Sequence, residues 1–146
     1  MLAKAISIAA QAFEGALDKG GKPYILHCLR VMNGVDQNDE ELMIIAVLHD
    51  IVEDCEEWCI ENLRREGFSE RVLAALYVLT HQEDISYHKY IESVSLNADA
   101  RLVKLSDLKD NSNYLRLKEV TEKSFESMKK YHTSYLFLSK PFKDYL

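Results

Sequence analysis

Apolar residues recur through this chain at helical spacing and almost nowhere in the alternation of a half-buried strand, which restricts it to an all-α fold. Over residues 2–17 they fall at Leu2, Ile6, Ala9, Ala10, Phe13 and Leu17. Asp18-Lys19-Gly20-Gly21-Lys22 breaks that pattern. Pro23 suits the first turn of a second helix carrying Ile25, Leu29, Val31 and Met32, closed by Asn33-Gly34. Asp39 is placed to cap a third helix that continues through Leu48-His49-Asp50-Ile51-Val52-Glu53-Asp54. Residues 57–66 predict a fourth, ended by Gly67, and Ser69 caps a fifth with Val72, Leu73, Leu76 and Leu79 on one face. Segments 86–96 and 98–111 follow, separated near Asn97. The last helix is expected over about 118–138, with Phe125, Met128, Tyr131, His132, Tyr135 and Leu136 inward. Five Gly and two Pro leave little material for β-turns. The expectation is a single all-α domain over 1–146, built from seven or eight helices.

The formal charge of −6 argues against nucleic acid as a partner, since that needs a basic face. It leaves room for a small anionic substrate, because a few lysines and a cation can make one pocket positive. No apolar run approaches the ~20 residues of a membrane span, and the first residues lack the pattern of a signal peptide. Cys28, Cys55 and Cys59 are odd in number and form no Cys-x-x-Cys pair, as in a reduced, cytoplasmic protein. The oligomeric state is left open.

The run from Leu48 to Asp54 carries the chemistry. It sets an imidazole and three carboxylates within an apolar stretch, Met43–Val47 before it and Ile51-Val52 inside it. Desolvating unpaired carboxylates is expensive, so the cluster points to a metal. Adjacent helical residues lie about 100° apart, so His49 and Asp50 share one ion only at a helix edge. Glu53 lies one turn from His49, and Asp54 one turn from Asp50. Further ligands must come from elsewhere, with His27 the leading candidate and Asp107 the second. Such a set suits Mn²⁺, Fe²⁺, Mg²⁺ or Zn²⁺. A bound divalent ion acidifies water and polarises a phosphoryl oxygen, while a neighbouring carboxylate prepares the water. Singly, each piece has a plain alternative: His27 as a core histidine, Asp107 as a solvated acid, Asp50 with Lys104 as a structural ion pair. Their co-occurrence in apolar helices favours the metal.

Three segments together resemble the HD superfamily of metal-dependent phosphohydrolases and, more narrowly, the Rel/Spo-type hydrolase domain that removes the 3′-pyrophosphate from (p)ppGpp. They are Asp18-Lys-Gly-Gly-Lys-Pro-Tyr-Ile-Leu-His27, Ala46-Val-Leu-His-Asp-Ile-Val-Glu-Asp54 and Arg101-Leu-Val-Lys-Leu-Ser-Asp-Leu-Lys-Asp-Asn111. With Gly67-Phe68 and Leu79-Thr80, the likeness spans roughly residues 10–115. It implies an all-α fold and one Mn²⁺ held by His27, His49, Asp50 and Asp107. It implies that Glu53 and Asp54 position the attacking water. Lys19 and Asn111 are then on the substrate side, and Lys104 takes a phosphate-binding or structural role.

Departures from the family pattern fall on the substrate side. Asp18 stands where an arginine that holds guanine is common, and Ser112-Asn113-Tyr114 follows the asparagine in place of Met-Arg-Thr. Phe13-Glu-Gly-Ala16 replaces His-x-Gly-Gln, and Cys28 replaces a proline. Two other readings therefore stand beside (p)ppGpp hydrolysis: an HD phosphohydrolase for a different nucleotide, and a non-catalytic nucleotide-binding domain that kept its metal. Cys55 and Cys59 read as buried small hydrophobes rather than zinc ligands. His81, His88 and His132 read as surface or packing residues, and Lys129-Lys130 as a solvated pair. Tyr131, Tyr135, Phe137 and Phe142 read as core or a dimer contact rather than a base-stacking platform.

Overall fold

The computed structural model describes residues 1–141. The chain runs through α1 (Leu2–Ala12), α2 (Ile25–Asn33), α3 (Glu40–Leu48), α4 (Ile51–Asp54), α5 (Ile60–Arg65), α6 (Glu70–Leu79), α7 (Tyr87–Ser95), α8 (Ala98–Asn111), a 3-10 turn (Tyr114–Arg116) and α9 (Glu122–Leu138). No strand occurs among the described residues. Because α4 is a single turn resuming directly after α3, the described residues form eight helical rods, in line with the expected seven or eight. Phe142 lies outside the described residues.

The architecture is organised around α3. Its Leu42, Ile44, Ile45, Ala46, Val47 and Leu48 are all buried, so apolar side chains point in every direction around the rod. A helix of that kind must be enclosed, and α1, α2, α6 and α8 pack on it. The prediction of its start holds: Asp39 accepts from the Leu42 amide. Ser69, Ser86 and Asn97 cap α6, α7 and α8 in the same manner. These caps satisfy amides that the first helical turn leaves without partners.

Several boundaries differ from expectation, each for a local reason. The first helix ends at Ala12, not 17, because Gly15 takes φ +79° and turns the chain, leaving Leu17 exposed. The fourth predicted helix is reduced to Ile60–Arg65. The last begins at Glu122, where Thr121 and Ser124 form a reciprocal capping box, and residues before it make the 3-10 turn. Its inward face agrees with the expected one at Tyr131 and Tyr135 only. Tyr131, Ser134, Tyr135 and Leu138 turn inward, while Phe125, Met128, His132 and Leu136 are exposed. Cys28 is buried and Cys55 half-buried, but Cys59, expected inside, is exposed. No helix of the described residues is long and apolar enough to cross a membrane.

Candidate metal centre and adjoining cavity

The expected single helix through His49 and Asp50 is interrupted there: His49 ends α3 and Asp50 precedes α4. His49 Nδ1 lies 2.8 Å from the Ala46 carbonyl oxygen, a bond in which only the ring nitrogen can donate. That side-chain bond replaces the continuing helical ladder. The break also resolves the geometric problem of two adjacent ligands, since His49 and Asp50 no longer need to share a regular helix edge. Tyr24, just ahead of α2, donates its hydroxyl to Asp50 Oδ2 and fixes the carboxylate.

Four side chains converge as the sequence suggested. One ligand atom from each of His27, His49, Asp50 and Asp107 lies within 4.8 Å of the others. His27, His49 and Asp107 are each no more than 3% exposed. His49 Nε2 is 2.9 Å from Asp50 Oδ2 and 3.4 Å from Asp107 Oδ1. His27 Nε2 is 3.1 Å from Asp107 Oδ1 and 3.8 Å from Asp50 Oδ2.

The tautomers test whether a cation fits. His49 commits Nδ1–H to Ala46, and His27 faces the Asp110 carboxylate with Nδ1 at 2.6 Å. In the neutral rings both Nε2 lone pairs therefore point at carboxylates. His49 Nε2 is buried without a partner in hydrogen-bonding geometry, although Asp50 is close. Lone pairs facing carboxylates repel unless a positive charge lies between them, so this donor set fits a divalent cation. Without one, a proton is held there instead: burial opposes charging His49, but Asp50 and Asp107 outweigh it and raise its pKa well above the usual range.

The residues that hold these four side chains in place were only partly legible. Asp110 was not anticipated, yet it connects His27 to Arg30, whose Nε donates to Asp110 Oδ1 at 2.7 Å, and to Arg116, whose Nη2 is 3.1 Å from Oδ2. Its one available signal was a second acid one turn beyond Asp107 on α8. Lys104 Nζ contacts Asp107 Oδ2 at 2.8 Å, rather than the Asp50 pairing considered from sequence. Burial pushes the Asp107 carboxyl upward, but Lys104 and the histidines hold it well below the ordinary carboxylate range. Asn111 donates to Asp107 Oδ1 at 2.8 Å.

Glu53 and Asp54 flank the centre on α4. Glu53 accepts the His81 amide at 2.6 Å, tying α4 to the loop after α6. Asp54 is raised to about 6 by burial and by the charges of Asp50 and Glu53.

A cavity of about 560 Å³ adjoins His27 and Tyr24, with Lys19, Asn111, Tyr114, Arg116 and Tyr131 in its wall. Tyr131 thus belongs to the cavity, a position its sequence context did not signal. Asp18 accepts from the Gly20 and Lys22 amides, both at 2.9 Å, and from Arg116 Nη1 at 3.0 Å. A Cβ on Gly20 would collide with the Arg116 carbonyl, so only glycine lets this loop lie against the 3-10 turn.

Residues 5–101, well over half of the chain, match the family model described as HD domain. The chain belongs to the HD domain family. The matched segment of this HD domain protein contains His27, His49 and Asp50, and α8 adds Asp107 beyond it. In three dimensions the protein is similar to a solved metazoan ortholog of SpoT, described as hydrolysing ppGpp and playing a role in starvation responses. That alignment has 20% sequence identity and a TM-score of 0.77, over 94% of this chain and 84% of the other. The likeness shows a shared fold. No curated protein matches the sequence.

Proposed function

We propose that this HD domain protein is a divalent-metal-dependent phosphohydrolase that removes pyrophosphate from the 3′ position of a guanosine alarmone such as (p)ppGpp, with Mn²⁺ as the ion. The observation that carries the reading is the convergence of four ligand atoms, three of them from buried residues and the fourth from half-buried Asp50, beside a nucleotide-sized cavity. Its shared fold with a ppGpp-hydrolysing protein supports the choice of substrate. A cytoplasmic location goes with a nucleotide substrate.

His27, His49, Asp50 and Asp107 would hold the ion. When bound, a divalent ion lowers the pKa of water and polarises a phosphoryl oxygen. Asp110 and Ala46 orient the two imidazoles, each taking the Nδ1 proton so that Nε2 faces inward. Lys104 keeps Asp107 ionised, and Asn111 fixes its Oδ1. Glu53 and Asp54 orient the attacking water and accept its proton. Lys19 meets a phosphate of the substrate from the cavity wall.

Purified protein with Mn²⁺ is expected to release pyrophosphate from ppGpp. Absence of turnover across a nucleotide panel with Mn²⁺, Mg²⁺, Fe²⁺ and Zn²⁺ would overturn the reading. One observation favours a second substrate: Asp18 stands where a guanine-holding arginine is expected, and its carboxylate is occupied by loop amides and Arg116. An HD phosphohydrolase for another nucleotide is then expected to leave ppGpp intact and turn over a different phosphate ester.

A further inference from the structure

Arg116 joins two carboxylates that serve different parts of the molecule. Its side chain belongs to the cavity wall and comes from the 3-10 turn after α8. Nη1 donates at 3.0 Å to Oδ2 of Asp18, 98 residues away in sequence. Nη2 donates to the Asp110 carbonyl at 2.8 Å and lies 3.1 Å from Asp110 Oδ2. Nε is buried without a hydrogen-bond partner among the described residues, so the two terminal nitrogens orient the group. The Asp18 and Asp110 side chains are 10% and 11% exposed, which leaves little water to compete for either.

Each carboxylate organises something beyond the ion pair. Asp18 Oδ1 takes the Gly20 and Lys22 amides, while the Asp18 amide donates to the Lys22 carbonyl. These bonds set the loop 18–22 that carries Lys19. At the other end, Asp110 Oδ2 faces His27 Nδ1 at 2.6 Å and sets the ring whose Nε2 turns to the centre. The loop also rests on the turn itself, since a Cβ on Gly20 or Gly21 would collide with the Arg116 carbonyl or with Lys118 Nζ. A planar guanidinium can hold two acceptors in a fixed relation, whereas one ammonium group is a single point of charge.

We propose that Arg116 is a positioning residue that locks the loop 18–22 and the His27 imidazole together, so that the cavity's loop wall and the metal centre are set as one unit. The assignment rests on reading the four converging side chains as a metal site. It extends that reading to a residue beyond the matched family segment, which stops at residue 101. A substrate met by the loop thereby keeps a fixed relation to the centre.

The test follows both ends in the full chain, for the wild type, Arg116→Gln, Asp18→Asn and the two combined. Hydrogen exchange at the Gly20 and Lys22 amides reads the loop, and calorimetric titration with Mn²⁺ reads the centre. Arg116→Gln is expected to speed exchange at both amides and to weaken Mn²⁺ binding about fivefold, the share of a partly exposed ion pair. Asp18→Asn keeps an oxygen for the loop amides and removes the ion pair. Asp18 hydrogen-bonds none of the four metal-site residues, yet this variant is expected to weaken Mn²⁺ binding as well. The combined variant is expected to lose no more than Arg116→Gln alone, because both changes cut one link. A lowered thermal midpoint with unchanged Mn²⁺ affinity would make Arg116 a structural contact only and overturn the proposal. Weakened Mn²⁺ binding with unchanged loop exchange, or losses that simply add, would overturn it too. Where Arg116→Gln does not fold, Arg116→Lys takes its place with the same outcomes expected. A wild type that binds no Mn²⁺ removes the metal reading. The His27 Nδ1 proton, followed by NMR, then reads that end, and its unchanged exchange in Arg116→Gln would overturn the link on its own.

Discussion

Asp110→Asn tests how far the metal centre depends on a residue that is not one of its expected ligands. In the native arrangement one carboxylate oxygen takes the His27 Nδ1 proton at 2.6 Å and the other takes Arg30 Nε at 2.7 Å. An asparagine offers one acceptor and places an NH₂ where the second oxygen was. It therefore leaves either the imidazole or the guanidinium facing a donor. Loss of an outer-shell partner of a ligand histidine costs about 10–100-fold in metal affinity, or about 1.4–2.7 kcal/mol. The Arg30 and Arg116 side chains are 38% and 26% exposed, so solvent limits the share of each ion pair to about 1 kcal/mol or less. Calorimetric titration with Mn²⁺ is the assay, with circular dichroism to confirm that the helices are retained. A folded Asp110→Asn protein whose Mn²⁺ affinity stays within about twofold of wild type would refute the reasoning, because the expected loss is at least tenfold.

Three further outcomes follow from the same geometry. Asp50→Ala should abolish Mn²⁺ binding in calorimetry, whereas Glu53→Ala should spare binding and remove turnover in a pyrophosphate-release assay. Gly34→Ala should destabilise the fold by about 1–3 kcal/mol, because its Cβ would meet the Ser106 hydroxyl that donates to the Val31 carbonyl at 2.8 Å. Denaturant unfolding should show that cost relieved when Ser106→Ala is added. Asp39 is held below the ordinary carboxylate range chiefly by its hydrogen bonds to Arg71. A depressed folded pKa contributes stability above the unfolded value and loses it as pH falls through the folded one. Arg71→Gln should therefore lower stability at pH 7 by less than about 1 kcal/mol, since the pair is exposed, and the difference should begin to shrink as pH falls through about 4 and vanish only once Asp39 is protonated in the folded protein as well. Urea midpoints across that range check it.

What could be read from residues alone was what depends on neighbours in sequence. Caps at Asp39 and Ser69 mark helix starts because each side chain binds an amide three residues on. The convergence of His27, His49, Asp50 and Asp107 was legible because His49-Asp50 sits in an apolar run where charge needs a reason. The break between α3 and α4 was not legible, since it depends on a side-chain bond from His49 to Ala46 and on a tyrosine 26 residues away. Asp110 was missed because its partner His27 is 83 residues distant. The inward face of α9 was only partly legible, for a related reason. Its aromatic residues surround the rod, and only docking on α8 and α7 decides that Tyr131 and Tyr135 turn in while Phe125 stays out.

The enclosure of α3 has a consequence for how this molecule responds to disturbance. The rod is gripped on all sides and passes directly into two of the four residues that converge on the centre. Close-packed interiors transmit displacement instead of absorbing it. A void opened beneath Ile45 or Val47 would therefore move His49 and Asp50 before it loosened any surface helix. Ion affinity in this protein is in effect a gauge of core packing, and a bound ion would act as a clamp on the rod's end. Mutations that only thin the core would then register as weakened metal binding while the helical content still looks intact.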